Sequence, residues 1–137
     1  MKELIIKTAG AAKDGLGPAA IGIVVTDKQG KEVFSQAEEI GNATSEYAEY
    51  FAAVRALQLL REKFGDGLNK FSHTLQSECE SLIQHLSAKA EIKDVSLIGH
   101  FIEIYNLRVA CFPALEPKLV KEKDNREPRQ LLDKLLD

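Results

Sequence analysis

The segment IIKTAGAAKDGLGPAAIGIVV, residues 5–25, begins and ends as two apolar, β-branched runs joined by a glycine-rich stretch. Residues 3–8 and 20–26 therefore read as neighbouring strands. The stretch between them contains Gly15, Gly17 and Pro18, which invites a test for a phosphate-cradling loop. It has no third glycine at the dinucleotide spacing and no lysine–serine/threonine ending of a P-loop. It also leads into a strand, so no helix N-terminus would stand ready to receive a phosphate. A strand-connecting turn is the better account. At the handover from the first strand to this turn stands Ala9, between Thr8 and Gly10.

Working outward, TDKQGKEVFS (26–35) reads as a hairpin turn at Gly30 and a third strand through Val33 and Phe34. From Thr44 to Lys63 the period changes: Tyr47, Phe51, Val54, Leu57 and Leu60 form a helical stripe. Thr44 or Ser45 can cap this helix, Glu46 suits its positive end, and Gly65 and Gly67 close it. KFSHTLQS (70–77) reads as a fourth strand. A short helix with Leu82, Ile83 and Leu86 inward follows it. Residues 95–108 predict a third helix with Leu97, Phe101, Ile104 and Leu107 inward, ended by Pro113. PKLVK (117–121) is a fifth strand, and Pro128 opens a last helix carrying Leu131, Leu132, Leu135 and Leu136. The order βββαβααβα predicts one α/β domain over residues 1–137, with a five-stranded mixed sheet, antiparallel at first and parallel where helices intervene.

Bulk properties narrow the function classes. The chain has 137 residues, 45% hydrophobic and 28% charged, which is a globular profile. No apolar run approaches the roughly 20 residues that span a bilayer, and MKELIIKT shows no signal-peptide pattern. A cytoplasmic protein with no membrane role is expected. Cys79 and Cys111 lack metal or redox spacing and are expected as buried free thiols. His73, His85 and His100 are scattered without partners at ligand spacing. The formal charge of −3 gives no support to general phosphate tracking. The densest basic run, KLVKEKDNREPR (118–129), is interrupted by acids and reads as solvated strand and loop.

Four segments stand out in order: TAGAAKDGLGPAAIG (8–22), ATSEYAEYFAAVRAL (43–57), LQSECESLIQHL (75–86) and LVKEKDNREPRQLLDKLL (119–136). Together they resemble the ribonuclease H family, in its short form without a basic protruding helix. The resemblance covers essentially the whole chain. In that family four carboxylates hold two Mg²⁺ ions that drive cleavage of RNA in an RNA–DNA hybrid. Hard cations at such spacing demand several acidic oxygens.

Carried over residue by residue, the resemblance implies losses. Thr8, Gly10, Ala11, Gly17 and Pro18 match the first motif, but Ala9 occupies the place of the aspartate shared between both metals. Glu49, in Thr44-Ser45-Glu46-Tyr47-Ala48-Glu49, matches the glutamate. Thr44 matches a threonine that commonly contacts a DNA phosphate, while Ser45 and Glu46 replace the amides that touch the minor groove. Glu78-Cys79 replaces Asp-Ser, one methylene longer. In Asn125-Arg126-Glu127-Pro128-Arg129, Arg129 stands where the fourth acid is expected. The histidine that some members carry before this motif has Leu119 as its counterpart. Asp14 lies out in the turn and Asp133 a helical turn past Arg129, so neither is expected to substitute.

The expectation is a ribonuclease H-like pseudoenzyme with a degraded two-metal site, with Glu49 and Glu78 as remnants and no cofactor. Mg²⁺ is expected only with retained activity, and Glu49 and Glu78 would then be its ligands. Three roles compete. The domain retains binding to RNA–DNA hybrid or other nucleic acid through Thr44 and the basic residues near 118–129; it is a protein-interaction or assembly domain on the old scaffold; or it is an active ribonuclease H with altered ligands. Arg129 either neutralises Glu49 and Glu78 in place of Mg²⁺ or simply points to solvent, and the sequence leaves both open.

Overall fold

A computed structural model describes residues 2–136. Its strands are β1 (Lys2–Ala12), β2 (Leu16–Asp27), β3 (Glu32–Thr44), β4 (Phe71–Ser77) and β5 (Leu115–Leu119). Its α-helices are α1 (Ser45–Phe64), α2 (Glu80–Leu86), α3 (Val95–Cys111) and α4 (Arg126–Leu136). The chain order is the βββαβααβα expected, with short 3-10 turns between elements. The sheet runs β3-β2-β1-β4-β5. β1 pairs antiparallel with β2 and β2 with β3, whereas β1 with β4 and β4 with β5 are parallel.

The first hairpin is tighter than the glycine-rich stretch suggests. β1 continues to Ala12 and β2 begins at Leu16, leaving Lys13–Gly15 as the turn. Asp14 (φ 58°) and Gly15 (φ 82°) supply its left-handed backbone. Gly10, Gly17 and Pro18 thus lie in strands. Pro18 is tolerated in β2 because β1 stops pairing at Ala12–Ala19, so Pro18 has a partner strand on one side only. β3 is longer than expected, extending to Thr44, and α3 continues to Cys111. β5 starts two residues early, and α4 begins at Arg126, which puts Pro128 within its first turn.

Capping sets the helix starts. The Thr44 hydroxyl accepts from the Tyr47 N–H at 3.0 Å, and the Asp94 carboxylate accepts from the Ser96 N–H at 2.9 Å. Gly65, with φ 51°, ends α1 while its N–H reaches Arg61 O.

Two layers cover the sheet. On one face Leu4, Ile6, Ile21, Ile23 and Leu75 pack against α1 and α3, with Leu57, Leu60, Leu97, Ile104 and Leu107 buried. On the other, α4 lays Leu132 over Ala9, Ala11 and Ala20. Strand alternation assigns Gly10 to the α1 face and Ala9 to the α4 face. Both helices come very close. A Cβ on Gly10 would collide with the Ala48 carbonyl and the Glu49 nitrogen, and one on Gly22 would collide with the Pro128 carbonyl. Cys79 and Cys111 are free and partly buried, more open than expected.

Candidate functional site

The close approach at Gly10 fixes the first site residue. With α1 pressed on β1, the Glu49 carboxylate accepts the Gly10 backbone N–H. Glu49 keeps some exposed area, but its carboxyl group is enclosed, and this burial pushes its pKa up to about 7. The Gly10 N–H opposes that rise, Glu78 adds repulsion, and Arg129 and the Ser77 hydroxyl act in the lowering direction. Glu49 and Glu78 therefore share one electrostatic neighbourhood at the ends of β1 and β4.

Glu78 is held differently. Asn125, fully buried just before α4, donates from Nδ2 to Thr8 O at 2.8 Å and to a Glu78 carboxylate oxygen at 3.2 Å. Thr8 is buried too, its hydroxyl donating to Gln76 O at 3.2 Å. One amide thus ties β1, the end of β4 and the start of α4 together.

Ala9, in the row beside them, is 1% exposed and lies beneath Leu132 in the apolar cluster. Of the two alternatives for Arg129, the structure shows the solvent-facing one, although its charge still acts to lower the Glu49 pKa. Its side chain is 44% exposed, and its Nε pairs with Asp133 at 3.4 Å, one helical turn on along α4. A neighbour on its own helix is cheaper to reach in entropy than a carboxylate across the seam, and Asn125 already occupies Glu78.

Thr44 is exposed and uses its hydroxyl to cap α1. Glu46 accepts from Ser81 Oγ at 2.8 Å, in a polar chain with Tyr50, His85 and Cys79. Burial raises Tyr50 to about 12 and pushes the Cys79 thiol up, so both stay protonated near neutrality. His73 is buried edge-on against Phe112, and burial lowers its pKa. His100 sits edge-on to Tyr47 and Phe51. Asp14 sits in the first turn. Among the described residues no group of three or more His, Cys, Asp or Glu is placed to hold a metal ion.

A second feature is only partly visible in the sequence. β-sheet register places Lys7, Gln76 and Lys118 in one row across β1, β4 and β5. This row floors an open groove of about 650 Å³ that also gathers Lys28, Lys121 and Lys123. Lys7 precedes Ala9 by two residues on β1, and Gln76 precedes Glu78 by two, Glu78 following the end of β4. Two aspartates share the groove: Asp27 is engaged by the Gln29 and Lys31 N–H groups, whereas Asp124 is exposed. Lys7 pairs with Glu127 at 2.6 Å. Lys118, Lys121 and Lys123 belong to the basic run already read in the sequence, whereas the fold brings Lys7 and Lys28 beside them.

Comparison with known proteins bears on this geometry. The family described as reverse transcriptase-like matches residues 7–132. Among curated protein sequences none matches. LC11-RNase H1, solved in complex with an RNA/DNA hybrid, is 30% identical, with a TM-score of 0.90 over 98% of this chain and 99% of that one. A second structure of LC11-RNase H1, isolated from compost by a metagenomic approach, gives 30% identity and a TM-score of 0.89 over both full chains. RNase H1 from the halophilic archaeon Halobacterium salinarum shares the fold at 24% identity, with a TM-score of 0.88 over 98% of each chain.

Proposed function

The chain belongs to the reverse transcriptase-like ribonuclease H family, and from that premise we propose a nucleic-acid-binding domain that does not cut RNA–DNA hybrids by the two-cation route. One observation carries this reading: the side chain at the place of the shared aspartate is a methyl group, Ala9, buried beneath Leu132. A pair of Mg²⁺ ions needs several hard oxygen donors converging within a few ångströms. This neighbourhood offers two carboxylates, one on a backbone N–H and the other on an amide. Arg129, an exposed guanidinium, stands at the fourth place. That donor set does not fit two divalent cations.

Binding is a separate matter from cleavage. The lysine groove over β1, β4 and β5 offers phosphate contacts despite the net negative charge of the chain, and LC11-RNase H1, of the same fold, was solved with an RNA/DNA hybrid. Fluorescence anisotropy with labelled RNA–DNA hybrid, duplex DNA and single strands, measured across salt, tests the proposal. Binding that weakens steeply with salt is expected. Lys118→Ala with Lys121→Ala should flatten the log–log slope by about 0.9 for each phosphate that no longer meets a lysine. No binding at low salt would overturn the proposal. An assembly role on the same scaffold is the second reading, favoured by the exposed apolar residues of α3.

A further inference from the structure

We propose that the outer face of α3 is the surface through which two copies of this chain form a dimer. α3 carries two apolar rows. The inner one, with Leu97, Ile104 and Leu107, is buried in the core. The outer one consists of Val95, Ile98, Ile102, Tyr105 and Val109, which are 79%, 39%, 53%, 60% and 66% exposed. Their spacing is three, four, three, four, the repeat of a helix seam that packs knobs into holes on another helix. A helix that lies singly on a domain turns a polar face to water instead.

The polar residues of α3 do not relieve this exposure. Its 17 residues include two with fixed charge, Glu103 and Arg108. Glu103 accepts from Gln58 of α1, and Arg108 donates to Leu86 O at 2.9 Å and Leu115 O at 3.3 Å. Both charges bond within their own chain, and the exposed Glu103 with Arg61 of α1, one charge of each sign, rims the row beside Gly99 and Ile102. α4 shows the contrast: Arg126, Glu127, Arg129, Gln130, Asp133 and Lys134 are its exposed positions.

A second copy of the chain fits this row for two reasons. The complement of a three–four row is another three–four row, and a twofold contact supplies it from the identical surface. Ile102 is the middle of the five residues, so it meets its own counterpart whether the two helices run parallel or antiparallel. Gly99 beside it leaves a notch, with nothing within 4 Å of where a Cβ would stand. The row extends about 21 Å along the helix, and a patch of this kind reaches the few hundred square ångströms that mark contact sites on monomers. Two such patches together approach the roughly 1,000 Å² that a specific interface needs. A contact at this lower size limit is expected to be weak and reversible. None of this depends on nucleic-acid binding.

Sedimentation velocity on the full chain tests the proposal. The native protein is expected to pass from monomer to dimer across the micromolar range. Ile102→Glu and Ile102→Lys should each remain monomeric at concentrations at least tenfold higher, with unchanged circular dichroism. Mixing the two variants should restore a dimer, because position 102 faces itself and the new charges then pair. A native chain that stays monomeric throughout the range overturns the proposal, whatever the variants do. So do variants that dimerise like the native protein, and a mixture that stays monomeric.

Discussion

The seam between β1 and α1 and the seam between β2 and α4 are built alike yet carry different chemistry. In each, a glycine lets a helix backbone rest directly on a strand, Gly10 under Ala48 and Gly22 under Pro128. On the α1 side this approach delivers a carboxylate, Glu49, onto a strand N–H. On the α4 side it delivers a leucine over alanines, with an arginine turned to its own helix. The backbone contacts depend on the absence of a Cβ and on strand twist, so they persist whatever polar groups stand on either side. Scaffold and chemistry are separable in this molecule, and the seams can be challenged one at a time.

The largest effect should come from closing the α4 seam. Gly22→Ala forces a methyl group into the Pro128 carbonyl, and because backbone cannot step aside as a side chain can, a loss of about 3 kcal/mol is expected by urea denaturation. An unchanged midpoint would show that α4 does not rest on β2 as described.

The α1 seam should be legible in pH dependence. The Glu49 pKa is raised from 4.5 to about 7 by burial, so between these values the folded state binds the proton more tightly than the unfolded chain. Its contribution is fully present below about pH 4.5 and is lost as the pH rises through about 7. Since the residue keeps some exposure, about 2 kcal/mol is a fair size for this loss. Glu49→Gln keeps an acceptor for Gly10 and should flatten the stability profile between pH 5 and 8, which thermal melts across that range would reveal.

Asn125 links the two seams. Asn125→Ala leaves Thr8 O and Glu78 without their donor, so a loss of about 1–2 kcal/mol is expected, with the start of α4 loosened. Hydrogen exchange at Arg126–Arg129 would detect the loosening. Smallest should be Thr44→Ala, which removes the α1 cap for about 1 kcal/mol. If it also weakens hybrid binding more than it lowers stability, Thr44 has a second role at the surface.

Much of this is legible in the chain itself. The β-branched runs, the capped stripe after Thr44 and the order of the four motifs point to the fold, and Ala9 between Thr8 and Gly10 is what prompts the proposal of a lost acid. Less legible is anything that depends on which strands become neighbours. Gly22 looks like any strand glycine until α4 is laid across it. Lys7, Gln76 and Lys118 share a row because β4 inserts between β1 and β5. Asn125 lies inside the last motif, but its task depends on the distance between Thr8 and Glu78. The sequence leaves the direction of Arg129 open, and a local neighbour decides it: Asp133 stands one turn away on the same helix. In α3 the inward stripe is plain from its spacing, whereas the equally regular outward row is easily passed over because a core explains only one face.

Whether this domain binds without cutting is decided by a cleavage assay on a labelled RNA–DNA hybrid with Mg²⁺ or Mn²⁺, using the native chain under conditions where anisotropy shows the hybrid bound. The RNA strand is expected to stay intact while the complex forms. Metal-dependent cutting of the RNA strand by the native chain would contradict the reading of Ala9 and Arg129 as lost metal ligands.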